Sequence, residues 1–292
     1  MQAKIVQYSF LFLGVFALST SAIFVKLAAA PSSVTAFYRL LFAVLVLLPF
    51  ALFNVDNRKE LLELNKQQLV LGLISGAFLA IHYVLWFESL QYTSVASSTV
   101  IVTMQPLFAF VGCYLFFGER FSKKAILGCF IAVLGCFIIG WGDFKISGQA
   151  LFGDFLAFVA AGIITAYFFV GQKMRKQIAV IPYSILGYIS SIVFLGVYTF
   201  FKDVSFTNYT LPTWWSFIGL GVISTILGQM IFNWLLKWLS TSIISMSILG
   251  EAVGTCILAY FILQEAISWQ QGIGIIVTLA GLSLFLFSKN RV

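Results

Sequence analysis

The chain has 292 residues, a formal net charge of +7 and only 9% charged residues, with a mean hydropathy of +1.03. A soluble domain carries about 25% charged residues, so this composition cannot cover the surface of one or two soluble domains, which excludes a soluble enzyme. It excludes a nucleic-acid binder too, because the basic residues are scattered through short polar connections and not gathered on one face, the pattern that encodes topology in a membrane protein.

A hydrocarbon core takes roughly 20 helical residues to cross. Apolar runs of that length predict ten helices, at roughly 8–27, 34–53, 68–88, 94–117, 124–141, 152–171, 183–201, 212–235, 242–263 and 269–288. The first begins within MQAKIVQYSFLFLG (1–14), and its apolar stretch runs on to about Val25 with no small-residue cleavage pattern, so it reads as a retained helix. Connections are short, the longest being the polar stretch from Asn54 to Lys66. Cys113, Cys129, Cys136 and Cys256 all fall inside apolar runs without metal-ligand spacing, and read as packing residues with no disulfide.

Alternating ten helices from a cytoplasmic N-terminus sorts the charges. The cytoplasmic side receives Lys4, Arg58, Lys59, Lys66, Arg120, Lys123, Lys124, Lys173, Arg175, Lys176, Lys237, Lys289 and Arg291, and the outer side only Lys145 and Lys202. That asymmetry is the positive-inside signal. It predicts a cell-membrane protein with both termini in the cytoplasm.

The chain also repeats. Shifted by 146 residues, Ser94 falls on Ser240, Tyr114 on Tyr260, Glu119 on Glu265, Ser122 on Ser268, Gly128 on Gly274 and Gly135 on Gly281. Such a register at half the chain length points to duplication, with residues 1–145 and 146–292 as five-helix repeats. Five is odd, so tandem copies enter the membrane in opposite senses. The loop charges agree, because Glu119 is followed by Arg120, Lys123 and Lys124, whereas Glu265 is followed by Ala266, Ser268, Trp269 and Gln270. Inverted repeats with a site at their interface are a recurring transporter plan. The glycines, spaced by seven along the fifth and tenth helices, read as close-packing faces within the chain or in a homodimer through Gly128/Gly135 or Gly274/Gly281.

The segment TAFYRLLFA (35–43), the turn QYTS (91–94), the mid-helix Pro106, the Gly-Glu-Arg sequence at 118–120 and the glycines of the fifth helix together resemble the drug/metabolite transporter superfamily and, within it, the EamA family. The resemblance covers essentially the whole chain. It implies an all-α integral membrane fold of ten helices in two inverted repeats, a central cavity and secondary transport of small metabolites. Members export amino acids and related compounds, some with proton coupling. The second half departs in placing Ala252 where the first has Pro106.

Polar groups at membrane depth are costly and mark cavities or partners. Glu251 stands about ten residues into the ninth predicted helix, with Ser247 and Thr255 at i−4 and i+4 on one face. A carboxyl there could exchange a proton or hold a substrate amine; the plain alternative is a packing glutamate. Arg39, in the outer half of the second helix, has the planar fork that suits a carboxylate or phosphate, against snorkelling or a structural pairing. His82 shares a face with Trp86 and adjoins Tyr83, an aromatic surface with one titratable group, against a bundle hydrogen bond; Tyr38 belongs to the same group more weakly. Thr225, Gln229 and Asn233 recur every four residues on the eighth helix and either line a cavity or join helices. Gln105 is the repeat counterpart of Glu251. Pro106 predicts a kink. Lys26 and Glu88 fall at outer helix ends, Asp154 opens the sixth helix, and Trp141, Trp214, Trp215 and Trp269 read as an interfacial belt.

No phosphate-binding glycine loop, HExxH or paired-cysteine motif occurs in the sequence, so no ATP use, cofactor or metal is expected. The expected function is secondary transport of small organic metabolites, amino acids or related compounds, in the export direction, with or without proton coupling. The competing readings are efflux of lipophilic cations, a membrane sensor or assembly protein, and an intramembrane enzyme acting on lipid. The expected partners are a small-molecule substrate and the bilayer.

Overall fold

The computed structural model describes residues 2–141, 148–264 and 266–288, so Lys145, Glu265, Lys289 and Arg291 lie outside the described residues. Ten helical spans, Lys4–Leu27, Ser32–Phe53, Lys66–Tyr92, Ser97–Phe117, Lys123–Gly140, Gly148–Met174, Val180–Phe201, Leu211–Leu235, Thr241–Ile262 and Trp269–Leu286, are long and apolar enough to cross a membrane. The chain is therefore an all-α, multi-pass membrane protein.

The first three spans form α1 (Gln2–Leu27), α2 (Ser32–Phe53) and α4 (Lys66–Tyr92). Between the last two lies a short helix, α3 (Val55–Leu62), in the stretch expected to be a polar connection. Its start is fixed by Asn54, whose side chain accepts from the Asn57 amide at 3.0 Å. The fourth span is two helices, α5 (Val95–Val102) and α6 (Gln105–Phe117). The break at Thr103–Met104 precedes Pro106 by one turn, as a ring with no N–H requires. The fifth to seventh spans are α7 (Lys123–Gly140), α8 (Gly148–Met174) and α9 (Val180–Phe201).

The eighth span is composite: α10 (Leu211–Gly219), a π-helical segment (Leu220–Gln229) and α11 (Met230–Leu235). The ninth is α12 (Thr241–Ile248) and α13 (Gly250–Ile262), broken at Leu249. The interruption falls one turn before Ala252, where the fourth span has Pro106, and Leu249 itself keeps α-helical dihedrals (φ −55°, ψ −27°). The tenth span is α14 (Trp269–Leu286), opened by a capping box between Ser268 and Gln271.

The main helix contacts cross between the two halves. The third span packs on the sixth and seventh, the eighth on the first and second, the fourth on the sixth, the ninth on the first, and the fifth on the tenth. The fifth–tenth contact is the closest. A Cβ at Gly135 would lie 2.4 Å from the Thr278 backbone nitrogen, and one at Gly281 would lie 2.3 Å from that of Ala132. Gly128 and Gly274 likewise face the backbones of Gly281 and Gly135. This corrects one expectation. The four glycines are used up against each other inside one chain, so these faces are not free to build a homodimer.

Hydrogen bonds close the face that carries the N-terminus. The Glu119 carboxylate accepts from the Ser242 hydroxyl at 2.8 Å, and the Gln172 carbonyl oxygen accepts from the Thr241 amide at 2.7 Å and its hydroxyl at 2.6 Å. Glu60 of α3 accepts the Ala179 amide at 2.9 and 3.0 Å, which caps α9. Arg175 donates to the carbonyls of Asn233 and Ile178. Burial lowers its pKa to about 10, opposed by the Glu60 charge, so it remains protonated at neutral pH. The opposite face holds a cleft of about 80 Å³ between α5 and α13, lined by Lys26, Thr99, Ala252 and Thr255, and a recess shared by Lys26 and Glu88.

The glycine contact yields a stability test. Gly135→Val must push the fifth and tenth spans apart and is expected to cost about 2 kcal/mol or more, read as a lower Tm in detergent. Gly272→Ala, with nothing within 4 Å of the added carbon, should be neutral or slightly stabilising. Equal melting of the two variants would contradict this packing.

Candidate functional site

Interruptions in the fourth and ninth spans place two helix N-termini inside the bundle. Gln105 is the first residue of α6 and Glu251 lies in the first turn of α13. An acidic side chain there complements the helix dipole, and discontinuous helices are a usual way of building a site at the midplane. Both residues border a small enclosed cavity, together with Arg39, His82, Tyr83, Trp86 and Gln229. Seven of the expected polar and aromatic site residues thus meet at one place.

Arg39 is fully buried. Its Nε donates to the Thr225 hydroxyl at 2.8 Å and its Nη1 to the Ser21 hydroxyl at 2.6 Å. Its guanidinium carbon lies 4.5 Å from the centre of the Tyr83 ring, a cation–π contact. The third nitrogen, Nη2, has no hydrogen-bond partner, so the Glu251 carboxylate across the cavity does not reach it. The snorkelling alternative for Arg39 is therefore not what the fold adopts. The π-helical turn is part of this seat. Thr225 donates to the Leu220 carbonyl five residues back at 2.9 Å, and glycine at 221 lets the eighth span come against the Arg39 carbonyl. A wide turn of this kind frequently marks a functional position.

The His82 Nδ1 is 3.0 Å from the Ala160 carbonyl oxygen. A carbonyl can only accept, so Nδ1 carries the proton in this arrangement. The ring stacks on Trp86 with centroids 5.9 Å apart and an interplanar angle of 23°. Five cavity atoms lack a partner among the described residues: Arg39 Nη2, Tyr83 Oη, Trp86 Nε1, Gln105 Oε1 and Gln229 Nε2. Buried polar atoms are normally satisfied, and the residues that carry these five all line the same cavity. The cavity volume is about 20 Å³, room for about one water. A metabolite enters only if the surrounding helices part.

Four expected site residues stand elsewhere. Tyr38 donates to the Phe206 carbonyl at 2.9 Å and stacks on Phe217 with centroids 5.1 Å apart, so it belongs to an aromatic cluster near the loop before α10. Asn233 is spent on Tyr167 at 2.6 Å and Ser184 at 3.3 Å and joins the sixth, seventh and eighth spans. Ser247 donates to the Ile243 carbonyl at 2.9 Å and borders an apolar groove between the first, ninth and tenth spans. Thr255 donates to the Ser19 carbonyl at 3.2 Å and lines the cleft of the opposite face. Asp154, expected as a dipole partner, accepts from Ser97 at 2.7 Å.

Sequence reasoning missed Ser21, which holds Arg39, and the apolar lining. Part of that lining was available from the 146-residue register: Leu18 pairs with Ile164 and Val102 with Ile248, as Tyr83 pairs with Gln229 and Gln105 with Glu251, and all eight border the cavity. If the cavity and not the aromatic cluster carries function, Tyr38→Phe should lower stability by about 1 kcal/mol and leave substrate KM unchanged in a transport assay. A raised KM at unchanged fold would return Tyr38 to the site.

The chain is similar to several known proteins. A Bacillus subtilis protein described as uncharacterized transporter YoaV is 25% identical over 252 residues, covering 84% of this chain and 85% of its own. An uncharacterized transporter of Archaeoglobus fulgidus is 24% identical over 268 residues, covering 90% of each. The pseudopaline exporter CntI of Pseudomonas aeruginosa is 23% identical over 175 residues, 59% of each chain. A solved crystal structure superposes with a TM-score of 0.79 over 96% of both chains at 16% identity, a likeness of fold alone. The EamA-like transporter family matches twice, over residues 6–141 and 151–287. The chain belongs to the EamA-like transporter family and is a membrane transporter.

Proposed function

We propose that the chain is a proton-coupled secondary transporter that exports small organic metabolites, amino acids or related compounds, across the cell membrane with both termini in the cytoplasm. Residues 1–145 and 146–292 are taken as inverted repeats that move against each other around the cavity. The observation that carries this reading is the cavity itself, a cluster of unpartnered polar groups at the junction of two broken spans. Its repeat-paired lining and the exchange pattern of helix contacts support an axis through it. One side is hydrogen-bonded shut through Glu119–Ser242 while the other keeps a cleft, as one end of an alternating cycle would.

Glu251 supplies the coupling. A single carboxylate can hold a proton or a substrate ammonium, but not both at once. Protons entering from outside then displace substrate outward. The name of the Pseudomonas relative, an exporter, supports the direction. Efflux of lipophilic cations fits less well, because a fixed guanidinium in the wall repels a cation that has no anionic group.

Glu251→Gln in proteoliposomes tests the coupling. Substrate-driven proton movement, assayed with a panel of amino acids and one lipophilic cation, is expected in the wild type with an amino acid and absent in the variant. Proton movement that persists unchanged in the variant would return Glu251 to a packing role and remove the coupling.

A further inference from the structure

We infer that the apolar groove between the first, ninth and tenth spans seats one acyl chain of an anionic phospholipid from the leaflet on the face that carries the N-terminus. The site is separate from the central cavity and does not depend on what that cavity transports. Its volume is about 410 Å³. Leu11, Ser19 and Val253 in its floor are buried, whereas Phe12, Ile257 and Leu279 at its rims are 40% to 76% exposed. The sequence explains the hollow. Gly250 and Gly254 give α13 no side chain toward α1: an added Cβ would lie 3.1 Å from Val15 Cγ1 at the first and 2.2 Å from Ser19 Oγ at the second. The two backbones approach closely there, and the longer side chains on either side stand apart as walls.

Chemistry, length and charge select the occupant. The buried hydroxyls of the floor are already used, Ser19 donating to the Val15 carbonyl and Ser247 to the Ile243 carbonyl, both at 2.9 Å, so a polar metabolite gains no hydrogen bond from them. Along α1 the groove runs from Tyr8 to Ser19. At 1.5 Å per residue that is about 16 Å, half of a hydrocarbon core of about 30 Å, which is the depth of one leaflet. The volume spread over that length leaves a channel roughly 5 Å across. Carbon atoms in contact are about 4 Å apart, so one polymethylene chain fits, whereas a helix is about 10–12 Å wide. Lys4 is exposed one turn before Tyr8, on the same helix face. Segments 1–8 and 286–292 carry Lys4, Lys289 and Arg291 and no acidic residue. Basic residues at the membrane surface attract anionic headgroups.

Groove and cavity share their helices. Val15 and Ser247 line the groove, and Leu18 and Ile248 line the cavity. A chain seated in the groove touches α1, α13 and α14 together and holds them in this arrangement. Native mass spectrometry and thermal melting of the delipidated full chain test the site, with dioleoylphosphatidylglycerol as the anionic probe and dioleoylphosphatidylcholine as the neutral one. The wild type is expected to keep one phosphatidylglycerol through detergent exchange, and to melt higher with it than with phosphatidylcholine. Ser283→Trp fills the groove from an exposed position on α14, and Ile257→Trp fills it from α13. Both should keep the lipid-free Tm and retain about tenfold less lipid, and with two walls tested a folding fault at one position does not decide the result. Val193→Trp, at a position 58% exposed on the seventh span, is the control and should retain lipid as the wild type does. Lys4→Gln should still hold a lipid but lose about fivefold of the preference for phosphatidylglycerol.

Equal retention by the two groove variants and Val193→Trp, phosphatidylcholine held as well as phosphatidylglycerol, or no lipid kept by the wild type would each overturn the assignment. So would a dimer of the wild-type chain that Ser283→Trp dissociates, because the groove would then seat a second copy. Substrate-driven proton movement is read separately with Glu251→Gln, so the transport reading stands or falls apart from these results.

Discussion

A guanidinium held dry within a membrane span is the constraint on which the rest of the structure depends. Moving such a charge to the bilayer centre costs several kcal/mol, and the fold meets that cost with three groups from different helices. Ser21 and Thr225 take two nitrogens, and the Tyr83 face lies under the cation. Each imposes something on its own span. The eighth span widens into a π turn so that Thr225 can point at Arg39, and Gly221 lets its backbone come close. The first and third spans are fixed in register by Ser21 and Tyr83. What remains is one nitrogen with no protein partner, facing a cavity that also holds a carboxylate on another helix. A stable membrane protein would gain by pairing them directly, and this one keeps them apart.

The second constraint is the pair of broken spans. A continuous helix satisfies all its backbone groups and offers nothing to a ligand at mid-membrane. Breaking the fourth span at Thr103–Met104 and the ninth at Leu249 creates new helix starts beside Gln105 and Glu251. Only the first break has a proline to cause it.

Much of this could be read in the sequence because lipid is a simple solvent. Hydropathy located all ten spans to within several residues, and the rarity of polar groups at membrane depth singled out Arg39, His82, Gln105, Gln229 and Glu251. Legibility ended where a residue's partner is distant in sequence. Tyr38 looks like a cavity aromatic until a carbonyl 168 residues away takes its hydroxyl. Ser247 borders an apolar groove, and Thr255, on the same helix as Glu251, is spent on the Ser19 carbonyl 236 residues away. Asn233 has the periodicity of a lining residue but meets Tyr167 and Ser184, neither of which is near it in the chain. The α3 helix was missed because its stability comes from an Asn54 cap and from Glu60 bonding to Ala179, not from an apolar pattern.

The central claim is that the cavity is reached alternately from the two faces, and distances across those faces test it most directly. Spin-label pairs at the exposed positions Arg120 and Lys237 on the N-terminal face, and Gln91 and Ala266 on the other, would be measured in nanodiscs with and without L-leucine across a pH step. Alternating access predicts that one distance lengthens in the same condition in which the other shortens. Two distances that stay fixed, or that lengthen and shorten together, would contradict it.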